Sequence, residues 1–219
     1  MKKLFSIFCL LSFNLILISC NNQKKEIKNS DDSSQKNQLD VHVDHSDMDS
    51  HKLMNSMDAT MREMENLKMT GNYDLDFANM MILHHKAAVK MSEVEIKYGK
   101  DKEIVSLAKD IIKAQQREIS IMENFSNVNS MKEQKKQTPS NLNIQMKKMM
   151  ENMMAISPSG NIDKDYVMMM IPHHEGAILM AENELVNGRN MEMKKLSESI
   201  IADQNKEIRA FKNWLKNQK

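Results

Sequence analysis

Apolar residues recur along most of this chain every three or four positions, the spacing that lines one face of an α-helix. The pattern is written twice. Residues 53–125 and 142–217 align at a constant offset of 89 positions with no gap. Leu53, Met57, Met61 and Met64 fall on Leu142, Met146, Met150 and Met153. Met80-Met81-Ile82 falls on Met169-Met170-Ile171, and Ile111, Gln115, Glu118 and Ile119 fall on Ile200, Gln204, Glu207 and Ile208. So long a match without an insertion marks a duplicated unit.

Each copy predicts three helices. The first is short and Met-rich, over about 53–68 and 142–155. A turn with Gly71 or Gly160 follows, and Asp74 or Asp76, with Asp163 or Asp165, are candidate caps of the second helix. That helix ends near Tyr98 or Asn187, just before Gly99 or Gly188 at a helix-stop position. The third runs from about Lys102 to Asn124 and from Met191 to Asn217. Four long helices with pseudo-twofold symmetry predict an all-α four-helix bundle over residues 53–219, with the short Met-rich helices added. The polar stretch 126–141, which contains Pro139, reads as the loop between the copies. Aromatics at 5%, five glycines and three prolines fit helices better than a sandwich or barrel.

Upstream of the bundle the pattern changes. Lys2 and Lys3 precede a largely apolar run from Leu4 to Ile18, too short for a comfortable membrane span. It ends in Leu17-Ile18-Ser19-Cys20, which resembles a bacterial lipobox, so residues 1–19 read as a lipoprotein signal peptide and Cys20 as the lipid attachment point. An ordinary signal peptide or an N-terminal anchor helix is the other reading. Residues 20–52 read as a flexible tether with a His-, Met- and Asp-rich end. The second cysteine, Cys9, lies in the removed segment, so the mature chain has no thiol for a disulfide, a thiolate metal site or a nucleophile. A net charge of +1 provides no field to attract nucleic acid.

The candidate chemistry lies in His84-His85 and His173-His174, set among 23 methionines. Met usually fills gaps in cores, which accounts for many of these but not for their placement beside histidine. At about 100° per residue, adjacent histidines diverge too far to chelate one ion. Spacing of four instead pairs Met80 with His84 and Met81 with His85, and likewise Met169 with His173 and Met170 with His174, each site to be completed from another helix. Thioether with imidazole suits soft or borderline metals, above all Cu(I). Calcium or magnesium would call for oxygen clusters, and zinc usually for Cys or carboxylate. The bland alternative is four histidines packed in the core.

Gln115 and Gln204 interrupt apolar stripes on the third helices and are candidate hydrogen-bond partners for the imidazoles, or for a neighbouring helix. Pro172 replaces Leu83 inside the second copy's helix and predicts a kink before His173, hence two unequal sites. His42, His45, Met48 and His51 place a soft donor at every third position ahead of the first copy, as in a flexible metal-capturing arm or a hydrated acidic stretch with incidental histidines.

The stretch Asp76-Phe77-Ala78-Asn79-Met80-Met81-Ile82-Leu83-His84-His85, with Asp165 to Met180 including Met-Ile-Pro-His-His-Glu-Gly-Ala, resembles the signature of the domain of unknown function 305 family over about residues 53–216. The resemblance implies a ferritin-like, all-helical fold and, from some exported members, copper binding. It implies copper ligands at His84, His85, His173, His174, Met80, Met81, Met91, Met169, Met170 and Met180. Leu83 and Lys86 depart from the pattern that the second copy keeps.

The resulting expectation is a non-enzymatic, lipid-anchored envelope protein, facing the periplasm, that binds Cu(I) or Ag(I) for sequestration or handover to a copper-handling partner. Two rivals remain. One is a Met-rich helical interaction protein without metal. The other is a di-iron bundle oxidase, which needs Glu-x-x-His pairs that these histidines lack.

Overall fold

In the computed structural model, residues 45–130 and 141–218 are described. The signal segment, Cys20, the tether up to His42 and most of the inter-copy loop lie outside them. Six helices make up the described residues, with no strand among them: α1 His45–Asn66, α2 Tyr73–Tyr98, α3 Lys102–Asn129, α4 Leu142–Met154, α5 Ile162–Asn187 and α6 Met191–Asn217. No helix among the described residues is long and apolar enough to cross a membrane.

The helices form where the repeat places them, with two changes: α1 starts earlier, and α3 runs on to Asn129, into the stretch 126–141 expected as a loop. Helix α1 begins at His45, so the expected flexible arm is helical from that residue on. Helix α3 buries Ile104, Ala108, Ile111, Gln115, Glu118, Met122 and Phe125, alternating steps of four and three that keep one seam on the bundle. Helix α6 keeps a similar seam in steps of three and four, with Met193, Ser197, Ile200, Gln204, Ile208 and Phe211. Helices α2 and α5 are buried on several sides. They pack on each other, α2 also packs on α3 and α1, and α5 on α6 and α4. The four long helices therefore form the bundle, and α1 and α4 cover α2 and α5.

The caps are not the expected aspartates but asparagines two residues before Asp74 and Asp163. Asn72 and Asn161 cap α2 and α5, accepting from the backbone N–H of Leu75 and Lys164. The aspartates hold other backbone. Asp76 accepts from Thr70 N at 2.6 Å and Gly71 N at 3.1 Å, and Asp165 accepts from Ser159 N at 2.8 Å. They fix the turns in which Gly71 and Gly160 sit at φ 82° and 79°.

Asp74 and Asp163 reach across to the other copy. Asp74 Oδ1 accepts from Arg189 N and Asn190 N, both at 2.7 Å. Asp163 Oδ1 accepts from Lys100 N at 2.8 Å and Asp101 N at 2.9 Å. Each copy thus anchors the start of the other's third helix. Ser92 and Tyr166 join the copies again through a hydroxyl pair at 2.7 Å.

Gly99 and Gly188 stop α2 and α5 in extended conformation, at φ −62° and −68°, not in the left-handed region expected of a glycine stop. Their reason is steric. A Cβ at either position would strike the carboxyl of Glu95 or Glu184.

Candidate metal centre

The pairing of α2 with α5 brings equivalent residues of the two copies together. The rings of His84 and His173 face each other with centroids 3.7 Å apart and planes tilted by 40°. His85 lies 6.0 Å from His84, and His174 lies 6.2 Å from His173. Four imidazoles therefore run in a row, His85–His84–His173–His174, through the centre of the bundle. All four are fully buried. Burial first, and then the neighbouring imidazoles, hold His84 and His173 well below the usual histidine range. At neutral pH both are uncharged and carry a free lone pair.

Carboxylates stand at both ends of the row. His85 Nε2 is hydrogen-bonded to Glu118 Oε2 on α3 at 2.8 Å. His174 Nε2 lies 2.7 Å from Glu207 Oε2 on α6, a close polar contact without hydrogen-bond geometry. At His85 the carboxylate keeps the proton on Nε2 and leaves Nδ1 as the donor atom. Neither Nδ1 has a hydrogen-bond partner among the described residues.

In the middle of the row, His84 Nε2 is 3.2 Å from Sδ of Met149, on α4. His84 Nδ1 and both ring nitrogens of His173 have no hydrogen-bond partner among the described residues. Buried polar atoms without partners are rare in folded proteins. Here they converge on one spot, beside a narrow cavity lined by His173 and by thioethers of α1 and α4, among them Met57, Met61, Met149, Met150 and Met153.

Met149 fits because of a substitution one helix away. A Cβ at Gly176 on α5 would stand 2.8 Å from Met149 Cγ and 3.0 Å from its Sδ. The equivalent residues of the first copy are Thr60 and Ala87. The second copy thus carries a larger side chain opposite a missing methyl, and its Met149 sulfur reaches the row.

The donor set fits a soft monovalent ion. Among the described residues no three His, Cys, Asp or Glu side chains gather in a metal-holding arrangement. The polar and sulfur atoms that meet in the middle of the row are imidazole nitrogen and the thioether sulfur of Met149. Neutral donors leave the charge of a bound ion uncompensated, which costs least for a singly charged one.

The sequence-predicted residues divide into groups. The four histidines come together as one row. Met80 lines a surface groove with Met64 and Met146, and Met169 lines another with His51. Met81, Met91, Met170 and Met180 are buried in the core. The Gln115 and Gln204 amides are buried with no hydrogen-bond partner among the described residues, and Glu118 and Glu207, three residues on, meet the imidazoles instead. His45 and Met48 fall in α1 and His51 is exposed on it, while His42 lies outside the described residues. Helix α5 is continuous through Pro172, and the inequality of the copies is seen at Met149 and Gly176. Met149, Glu118 and Glu207 are the residues that sequence reasoning missed. The exchange of Thr60 and Ala87 for Met149 and Gly176 was visible in the repeat alignment.

Known proteins share the sequence pattern and the helical fold. The sequence matches the family described as domain of unknown function (DUF305) over residues 20–126 and 74–215. No curated protein sequence matches it significantly. Among solved structures, CopM in its Cu(I)-bound form is 30% identical, with 66% of this chain and 96% of that chain covered and a TM-score of 0.52. CopM in an Ag-bound form gives 30% identity over the same shares and a TM-score of 0.53. A DUF305 fragment from Deinococcus radiodurans shares the fold at 21% identity, covering 66% of this chain and 96% of its own, with a TM-score of 0.52.

Proposed function

The chain belongs to the DUF305 family, and on that footing we propose that it binds Cu(I), or Ag(I), as an exported, lipid-anchored protein of the cell envelope that sequesters the ion or hands it on. One observation carries the reading: His84 and His173 face each other 3.7 Å apart, buried and uncharged, with Met149 sulfur 3.2 Å from His84 and no partner for the remaining ring nitrogens. CopM, 30% identical, has been crystallised with Cu(I) and with Ag. Its likeness supports the same class of cargo here.

In this reading His84, His173 and Met149 hold the ion between the two copies. His85 and His174 contribute from the ends, oriented by Glu118 and Glu207. Met80, Met81, Met91, Met169, Met170 and Met180 line the surrounding core and grooves as a thioether-rich bed. Glu118 and Glu207 each face one imidazole and do not gather into the carboxylate cluster that a di-iron oxidase needs. Export and anchoring rest on the lipobox at Leu17 to Cys20.

The test is an anaerobic competition titration with Cu(I), Cu(II) and Zn(II) on the chain from residue 20, carrying Cys20→Ser to remove the thiol that lipid would cap. The expected result is preference for Cu(I), with the tightest equivalent lost when His84, His85, His173 and His174 are all changed to alanine. An unchanged tightest equivalent in that variant would sink the reading.

A further inference from the structure

Two surface grooves are related by the duplication. The first is lined by Met64 and Glu65 of α1, Met80 of α2, and Asn143, Met146, Lys147 and Met150 of α4. The second is lined by His51 and Met54 of α1, Met153 and Met154 of α4, and Asp165 and Met169 of α5, with Ile156 and Pro158. At the offset of 89, Met64 corresponds to Met153 and Met80 to Met169, so both grooves keep these two thioethers, and each has four in all. They differ at three places. Where the first groove has Glu65 and Asn143, the second has Met154 and Met54, and His51 has Ser140 as its sequence equivalent. The second groove thus puts thioethers in place of a carboxylate and an amide, and adds an imidazole.

Packing does not account for that bias. Met154 is 66% exposed and His51 is also exposed, so neither is held in place by a core. His51 and Met54 are three residues apart on one side of α1, and they face Met153, Met154 and Met169 across the groove. The groove also leads inward. Met54, Met153 and Met154 line both it and the narrow cavity that ends at His173. A series of thioethers therefore joins exposed His51 to the buried row.

We propose that His51, Met54, Met153, Met154 and Met169 form a second soft-metal site at the surface, and that this site is the entrance through which Cu(I) or Ag(I) reaches His173. The proposal rests on the reading of the buried row as a metal centre. Thioethers and one imidazole bind a soft monovalent ion without a net charge to release. Exposure and few donors make the entrance the weaker of the two sites, as transfer inward requires.

The probe is Ag(I), titrated into the Cys20→Ser chain labelled with methyl-¹³C methionine and followed by NMR. Two equivalents are expected, one moving the Met149 methyl and one moving those of Met54, Met154 and Met169. His84→Ala with His173→Ala keeps the groove shifts and loses that of Met149. His51→Ala with Met154→Leu, both at exposed positions, does the reverse and slows loading of the buried site at least tenfold in rapid mixing. If Met149 moves in the wild type while the groove methyls stay still, the entrance is overturned and the buried centre stands. If neither set moves, both readings fail. Unchanged loading in the groove variant overturns the role as entrance.

Discussion

Gly176 lies against Met149 so closely that a single added methyl would meet the Met149 side chain at 2.8 Å. A glycine inside a helix costs about 0.5–1 kcal/mol relative to alanine, so its presence on α5 calls for a compensating contact. That contact is the passage of Met149 sulfur to His84. Gly176→Ala is therefore expected to weaken Cu(I) affinity roughly tenfold, the scale of losing a supporting contact to a metal ligand. Adding Met149→Thr, which copies the Thr60 and Ala87 pair of the first half, should recover the thermal midpoint but not the affinity. Competition titration and thermal melts of the same two variants separate these effects.

Both ring nitrogens of His173 are buried without partners. An unpaired buried polar atom costs about 1–3 kcal/mol, a penalty that replacement by an apolar group relieves. His173→Leu should therefore stabilise the metal-free chain by about 1 kcal/mol, while abolishing the rise in stability that Cu(I) confers on the wild type. Urea unfolding with and without Cu(I) reads both. A destabilised metal-free variant would mean that His173 is held by packing and not poised for a ligand.

Glu118 is hydrogen-bonded to His85 Nε2, and Glu207 stands 2.7 Å from His174 Nε2. Glu118→Gln and Glu207→Gln keep the shape but weaken the preference for a proton at Nε2. Each should lower Cu(I) affinity about 10–100-fold without changing stoichiometry.

Glu95 and Glu184 give the fold its own pH dependence. Burial, hydrogen bonding to Asp163 or Asp74, and the charge of that same aspartate push both carboxyls from 4.5 up to about 9. Between those values the folded chain keeps two protons that the unfolded chain has released. The stability these groups provide is complete below pH 4.5 and is lost as pH rises through about 9. Denaturation midpoints should fall between pH 7 and 9, a range in which His84 and His173 stay neutral. Glu95→Gln with Glu184→Gln should flatten that fall.

Much of this was legible in the sequence because the duplication repeats every helical signal. The ends of α2, α5 and α6 follow from glycine, asparagine and apolar spacing. The site was legible only in part. Spacing along one helix suggests Met80 with His84 and leaves the residue from another helix unnamed; the thioether 3.2 Å from His84 is that of Met149, brought there by the packing of α4 on α5. Which residues share a helix face is a local property, whereas the meeting of His84 with His173 is a product of the pairing of α2 with α5. Gln115 and Glu118 occupy the same buried seam, and only the tertiary arrangement selects the carboxylate as the imidazole partner. Asp74 and Asp163 read as local caps because nothing in the local sequence reveals the other copy's backbone beyond Gly99 and Gly188.

A single soft ion shared by the two copies would sit between His84, His173 and Met149. Copper X-ray absorption on the chain loaded with one equivalent of Cu(I) is the sharpest test. Nitrogen and sulfur together are expected around the copper, with sulfur reduced by Met149→Leu and nitrogen reduced by His84→Ala with His173→Ala. Copper surroundings that neither substitution changes would rule out a shared ion there.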